Sequence, residues 1–377
     1  MKGNRVYADN AATTRPFPEA ILAAKAALED YYNPSAIYEN AGRARRILSS
    51  SRALIAELVG AEEDEIFFTS GGSESNNLAL FGAAAALPPE KRHIVAGEIE
   101  HSSILEPLKR LEREGFRVTL LKPDARGGYD PEEILRALPE DAGIFTLMTA
   151  QNEVGTVEPV EEIGPALRER GIFFHTDAVQ SVGHLETGVK KSGVSSLSAS
   201  AHKFGGIKGA GFLFLRRGTP FLPPFSGGGQ EKGLRPGTEN VPGIAAMAAA
   251  LSRAEKTRES EGKRLWEYQK RLDKAILSLP GARKTGEKER RLPGLLSYYF
   301  EGIDSEALVH ALDLFGVDAA AGAACRGGKR EENPVLRALG LSGGGALRLS
   351  LGWDTGEEDI RLLEEKIPRA VRLLRET

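Results

Sequence analysis

The sequence has almost no cysteine: Cys325 is the only one in 377 residues. An intrachain disulfide is excluded, and so is a metal site built from several cysteines of one chain. Neither sign of charge is in large excess. Lys and Arg number 50 against 53 Asp and Glu, a formal net charge of -3, so nothing draws the chain wholesale to nucleic acid or to an anionic lipid surface. Long apolar runs are missing as well. The most apolar stretches, 81–87 and 244–251, are too short to cross a bilayer. Residues 1–10 lack the apolar core of a secretion signal. There is no internal repeat and no low-complexity tract. The expectation is a cytoplasmic protein with no membrane, nucleic-acid or metal partner.

What is present is ordinary for a soluble globular chain: 41% hydrophobic and 27% charged residues, at a length that suggests two or three domains. Helices are predicted over 18–31 and 42–59, the second closed by Gly60. From residue 65 a regular alternation begins. Strands are predicted at 65–69, 93–96, 117–121, 143–149, 172–176 and 194–197, and helices at 74–86, 102–113, 131–138 and 161–170. Such alternation implies right-handed crossovers and a largely parallel, helix-covered sheet, which binds ligands beyond the carboxyl ends of its strands. After a last strand at 212–216 the pattern stops. Residues 220–237, rich in Pro and Gly, read as loop. Residues 242–279 read as a long helix broken near 259–262. The remainder, with elements at 295–300, 306–315, 334–339, 346–351 and 357–374, reads as a smaller α+β domain. The expected division is a large domain over 1–255 and a small domain over 256–377, with the N-terminal residues packed on the small domain.

The chain is organised around residues 198–211, Ser-Ala-Ser-Ala-His-Lys-Phe-Gly-Gly-Ile-Lys-Gly-Ala-Gly. Glycines there let backbone amides approach a ligand closely. A lysine held in such a bend can be desolvated and become an amine nucleophile. Lys203 therefore reads as a Schiff-base lysine for pyridoxal 5'-phosphate, or else as a solvated lysine in a tight turn. Four further loops follow strands of the same sheet. Gly71-Gly72-Ser73 precedes a helix, where amides and helix dipole favour a phosphate, although the same residues serve as a plain N-cap. His101 can stack on an aromatic ligand, shuttle a proton or simply cap a helix. Asn152 can bond a ligand or shape a turn. Asp177 ends an apolar strand, and a buried carboxylate needs a partner. A pyridinium N–H would serve and would keep the cofactor ring able to accept electrons; local backbone is the alternative. Cys325 sits among small residues, glycines and the cations Arg326, Lys329 and Arg330. That setting predicts a loop in which the thiolate is favoured.

Read in chain order, the motifs Asp9-Asn10-Ala11-Ala12-Thr13-Thr14, Phe68-Thr69-Ser70-Gly71, Glu100-His101, Asn152-Glu153-Val154-Gly155, Asp177-Ala178-Val179-Gln180, Ser200-Ala201-His202-Lys203, Gly227-Gly228-Gly229-Gln230-Glu231, Arg235-Pro236-Gly237-Thr238 and Val335-Leu336-Arg337-Ala338-Leu339-Gly340 resemble the NifS/IscS-like cysteine desulfurases of the class V aminotransferase family. The resemblance spans nearly the whole chain. It implies the α/β fold type I of pyridoxal-phosphate transferases, with a mainly parallel large domain and a smaller α+β domain. It implies that Lys203 carries the cofactor, Asp177 meets the ring nitrogen, Gln180 the ring hydroxyl, and His101 the ring face, with His101 also a candidate acid–base helper. Gly72, Ser73, Ser200 and His202 would hold the phosphate. Thr238 would reach the phosphate of a second subunit, which makes the protein a homodimer. Asn152 and Arg348 would bind the carboxylate of L-cysteine, and Cys325 would accept its sulfur as a persulfide and pass it to an acceptor protein. The chain departs from the family pattern at Ala323-Ala324-Cys325-Arg326, where a Ser-rich loop is usual, and at Gln151 and Ile207. A selenocysteine lyase or an aminotransferase on the same scaffold is the alternative, and a non-catalytic binding protein a more distant one. A nicotinamide-dependent oxidoreductase is disfavoured, because no Gly-x-Gly-x-x-Gly follows the first strand.

Overall fold

The computed structural model describes residues 5–286, 289–322 and 333–376, together with the backbone of 325–326 and 329–330. A two-residue strand β1 (Val6–Tyr7) is followed by helices α1 (Pro18–Glu29) and α2 (Ala41–Val59). The alternating region then gives β2 (Ile66–Thr69), α3 (Gly72–Ala86), β3 (His93–Gly97), α4 (Ser102–Arg113), β4 (Arg117–Leu121), α5 (Pro131–Ala137), β5 (Ala142–Thr146), α6 (Val160–Glu169), β6 (Phe173–Asp177), α7 (Val189–Ser192), β7 (Ser196–Ser200) and β8 (Gly211–Leu215). These strands form one seven-stranded sheet in the order β2-β8-β7-β6-β5-β3-β4. It is parallel except for β8, which runs antiparallel to both β2 and β7. Its inner strands β3, β5, β6, β7 and β8 are buried at every position, as continuous runs must be when helices cover both faces. Only the edge strand β4 is largely exposed.

Strand β7 is longer at its carboxyl end than the sequence suggests. The ladder with β8 pairs Ser200 with Gly211, so Ser198 to Ser200 belong to the sheet and the bend begins at Ala201. The helix α8 (Val241–Ile276) also departs from expectation, because it runs unbroken through 259–262. Gly262 costs an interior helix position about 1 kcal/mol. Against that, the surface is laced by one-turn ion pairs, Glu255 with Arg258, Glu259 with Lys263, Glu261 with Arg264 and Glu267 with Lys270, the spacing at which helical side chains meet. The helix serves two cores. Its first half buries Ile244, Met247 and Leu251 against the large sheet, and its second half buries Leu265, Leu272 and Ile276 in a separate core. The expected boundary at 255/256 falls inside this helix.

The rest of the chain gives β9 (Ala282–Lys284), β10 (Leu295–Glu301), α9 (Ser305–Leu314), β11 (Val317–Asp318), β12 (Cys325–Arg326), β13 (Lys329–Arg330), α10 (Pro334–Ala338), β14 (Gly344–Ser350) and α11 (Glu357–Glu376). The second core is filled from β10, α9, β14 and α11, whereas Val335 of α10 is buried in the first. Strands β14, β10 and β9 make an antiparallel sheet, and β12 pairs antiparallel with β13. The N-terminal β1 pairs with β11, and Val6 and Ala8 are buried in the second core. Among the described residues no helix is long and apolar enough to cross a membrane.

Residues 220–237 are held by a buried carboxylate. Glu231 has a left-handed φ of 47°. Its side chain accepts from the Phe68 amide (2.8 Å) and is gripped in fork geometry by Arg52, at 2.6 and 2.9 Å. Arg52→Ala would leave this carboxylate without its cation. Because the Arg52 side chain is 21% exposed, the expected loss is about 2 kcal/mol, below the roughly 3–5 kcal/mol of a fully buried pair. A urea denaturation midpoint equal to that of the parent would exclude the clamp.

Candidate active site

The carboxyl ends of β3, β5, β6 and β7 and the amino end of α3 surround one cleft of about 500 Å³, a size suited to a small cofactor and its substrate. Gly72, Ser73, His101, Asn152, Asp177, Gln180, Ser200, His202, Lys203 and Arg348 all line it. Arg348 comes from β14 of the smaller unit, so both units build the site. Thr238 does not line the cleft and is exposed. The backbone of Cys325 lies in β12, and its side chain falls outside the described residues. A second cavity of about 80 Å³ lies on the far side of Lys203, beside Phe17 and Trp353; it is too small for a cofactor.

Asp177 sits on the floor and is 6% exposed. Its Oδ1 accepts from the Val179 amide (2.9 Å), and its Oδ2 accepts from Asn76 Nδ2 (2.6 Å). Asn76 in turn takes a bond from His175 Nε2 (3.0 Å), which leaves His175 Nδ1 to accept from Ser196 (2.8 Å). Burial pushes the His175 pKa down to about 3, so this histidine stays neutral and directs one N–H at Asn76. Asn76 also donates to Ser103 Oγ (2.8 Å), which bonds His101 Nδ1 (2.8 Å). His101 caps α4 by accepting from the Ser103 amide (3.2 Å), so Nε2 keeps the ring proton. The capping and the cleft-lining readings of His101 hold together. Asn76, His175 and Ser103 were missed from the sequence. The signals were there: His175 and Asp177 are two apart on a strand and share a face, and Asn76 is one helical turn beyond Gly72.

The amino end of α3 has the shape of an anion cradle. A Cβ on Gly72 would fall 2.4 Å from Val179 Cγ2, so only glycine leaves the backbone open there. Gly71, with φ of +153°, packs its Cα against Gly211 and its hydrogen toward Ser200 Oγ. First-turn amides have no helical acceptor, and Ser200 and His202 border them. Burial first, and the charges of Lys203 and Lys208 second, hold the His202 pKa down at about 4.

Lys203 is mostly buried. Its Nζ donates to the Ala11 carbonyl, and Gln180 Nε2 donates to the same oxygen (2.9 Å). Burial, reinforced by the charge of Arg348, pushes the Lys203 pKa down to about 8. Arg348 donates to the Asn152 carbonyl (2.9 Å) and to Asp9 Oδ1 (2.7 Å). Its buried Nε has no partner among the described residues. Glu100, on the cleft wall, accepts from the Met148 amide (2.6 Å). Burial, with the Asp177 charge nearby, holds its carboxyl well above the usual carboxylate range. Among the described residues no group of His, Cys, Asp and Glu is arranged to hold a metal ion.

A neutral-prone lysine, a buried carboxylate, an anion cradle and an arginine face one cleft of an α/β fold, an arrangement with the chemistry to receive an anionic group and a carboxylate. The aminotransferase class-V family matches residues 6–363. A cysteine desulfurase of Trichormus azollae is 40% identical over 375 residues, covering 98% of this chain and 94% of that one. Among solved structures, a NifS-like protein superposes with a TM-score of 0.92 at 34% identity, over 98% of this chain and all of the other. SspA in complex with cysteine superposes with a TM-score of 0.81 at 32% identity, over 92% and 98%. The chain belongs to the aminotransferase class-V family. Its fold is that of the NifS-like proteins, fold type I of the pyridoxal-phosphate transferases.

The lowered pKa of Lys203 is directly measurable. In the cofactor-free protein, acylation of its neutral amine should rise with pH and level off above about 8, while exposed lysines continue to gain reactivity toward 10.5. Peptide mass mapping reads both; a Lys203 profile that follows the exposed lysines would contradict the burial.

Proposed function

We propose that this protein is a cysteine desulfurase that uses pyridoxal 5'-phosphate to remove sulfur from L-cysteine, releasing L-alanine and leaving a persulfide on Cys325. The observation that carries the reading is the meeting of Lys203, Asp177, the Gly72 cradle and Arg348 in one cleft. The donor set fits the cofactor. The cradle of Gly72, Ser73, Ser200 and His202 suits a phosphate, since first-turn amides are bare there and a Cβ at position 72 would press on Val179. Asp177, oriented by Val179 and Asn76, suits a ring N–H, Gln180 the ring hydroxyl and His101 the ring face. When bound, pyridoxal phosphate supplies an aldehyde for the amino group and a ring that withdraws electrons from Cα.

The chain's own groups do the rest. Arg348 and Asn152 orient the substrate carboxylate, and the unpaired Arg348 Nε is a donor that a carboxylate would satisfy. Lys203 Nζ, neutral in a large fraction near pH 8, takes the Cα proton. His101 Nε2 faces the cleft as a second proton carrier. The Cys325 thiolate attacks the substrate sulfur: an S–S bond forms, the Cβ–S bond breaks, and its electron pair stays with the carbon skeleton, which takes up one proton at Cβ and regains the Cα proton from Lys203 to become alanine. The persulfide then passes to an acceptor protein. The enzyme works in the cytoplasm as a homodimer, Thr238 serving the partner's phosphate. Exposure of Thr238 away from its own cleft supports this, as do the exposed apolar side chains of Tyr31 and Ile37, 81% and 100% exposed.

Two measurements test the reading. Incubation with L-cysteine without reductant should add sulfur to the intact mass, and Cys325→Ala should abolish the gain. No gain, with the cofactor band present and responding to L-cysteine, would sink the desulfurase and turn attention to aminotransferase and selenocysteine substrates. Gly72→Ala should weaken cofactor retention on gel filtration by tenfold or more, about 1.4 kcal/mol; full retention would remove the phosphate from this cradle.

A further inference from the structure

The sulfur-accepting segment is rooted on the loop that holds the substrate. Strands β12 and β13 pair Cys325 with Arg330. Cys325 lies three residues after Gly322, and Arg330 three residues before Asn333. Both of those root residues meet one side chain, that of Glu153. Its Oε2 accepts from Asn333 Nδ2 at 2.7 Å. Gly322 has φ of +73°, and a Cβ there would fall 2.5 Å from Glu153 Oε2 and 2.6 Å from Asn333 Nδ2. The glycine is required for this closeness. Asn333 uses its other end to cap α10, accepting from the amides of Val335 (2.8 Å) and Leu336 (3.2 Å).

Glu153 follows Asn152 directly. Its amide donates to Gln151 Oε1 (2.5 Å), and the Gln151 side chain donates to the Ile99 carbonyl (3.2 Å). Upstream of Gly322, Ala320 exchanges two backbone hydrogen bonds with Arg348, at 3.2 and 2.7 Å. The segment is thus tied on one side to Arg348 and at both ends to the residue beside Asn152. Glu153 and Asn333 are 7% and 5% exposed. An apolar contact would join two loops without the cost of burying a carboxylate. A hydrogen-bonded one imposes a direction and a distance.

We infer that Glu153 is a positioning residue for sulfur transfer: through Asn333 and Gly322 it holds the root of the Cys325 hairpin in register with the substrate-carboxylate site. This inference rests on the desulfurase reading. The action of Glu153 runs through its bond to Asn333 and the geometry of the hairpin root.

The test uses the holoenzyme and two signals. The first is the change in cofactor absorbance on adding L-cysteine, which reports capture of the amino acid. The second is the rate at which sulfur appears on Cys325 by intact mass. Glu153→Ala should leave the first signal within about twofold and slow the second by roughly 10- to 100-fold, the scale of an ångström-sized misplacement. Glu153→Gln retains an oxygen that can accept from Asn333 and should recover most of the rate. Asn333→Asp keeps the cap on α10 but turns the donor into a second carboxylate, and should be as slow as Glu153→Ala. The exchanged pair Glu153→Gln with Asn333→Asp again joins a donor to an acceptor and should be faster than Asn333→Asp alone. Glu153→Ala that transfers sulfur at the parental rate, or that loses both signals together, would overturn the inference. If that variant fails to fold with cofactor, the comparison of Asn333→Asp with the exchanged pair decides in the same assay. A parental protein that gains no sulfur at all would instead refute the desulfurase reading, so the two failures are distinguishable.

Discussion

A carboxylate held inside the protein is the constraint on which the site depends. Asp177 closes a strand buried at every position, where an ionised group is costly unless its lone pairs are filled. The fold fills them with the Val179 amide and the Asn76 amide group, and fixes Asn76 with a histidine kept neutral by its own burial. The same Asn76 reaches Ser103 and through it His101. One buried charge therefore sets the orientation of the floor and of the ring above α4. The cradle follows from the same packing, because Val179, whose amide bonds Asp177, is the residue that forbids a Cβ at Gly72.

The second constraint is that the cleft exists only where two cores meet. Lys203, Asp177 and Asn152 come from the large sheet, and Arg348 from the small one. The long α8 spans both cores, and β1 reaches from the N-terminus into the small one. Arg348 is then fastened to Asp9 and to the Asn152 carbonyl. These contacts leave Arg348 close enough to Lys203 for its charge to add to burial in lowering the lysine's pKa. The electrostatics of the lysine thus depends on a residue 145 positions away in the chain.

Much of this was legible beforehand. Alternating strands and helices, each bounded by turn residues, identified the parallel sheet. The loops and strand ends at its carboxyl edge contained nine of the ten expected site residues that line the cleft, Arg348 alone coming from the smaller unit. Errors arose where long-range pairing overrode local signals. Ser198 to Ser200 look like a bend but complete a ladder with β8. Glu259 to Gly262 look like a break but carry ion pairs that sustain the helix. Asn76 and His175 have no local mark of function, since an asparagine in a helix and a histidine in an apolar strand are both compatible with plain packing.

By itself the sequence determined the alternation, the identity of the chemical groups and their place at strand ends, because periodicity and turn residues are local properties of a chain. It also excluded an intrachain disulfide, since the chain holds one cysteine. Only the tertiary structure decided which groups meet: Asn76 with Asp177, Arg348 with Asp9 and Asn152, and Glu153 with Asn333. Those contacts join residues 101, 339, 196 and 180 positions apart. No local pattern encodes them, because they depend on how two cores pack and on the cost of leaving a buried polar group unpaired.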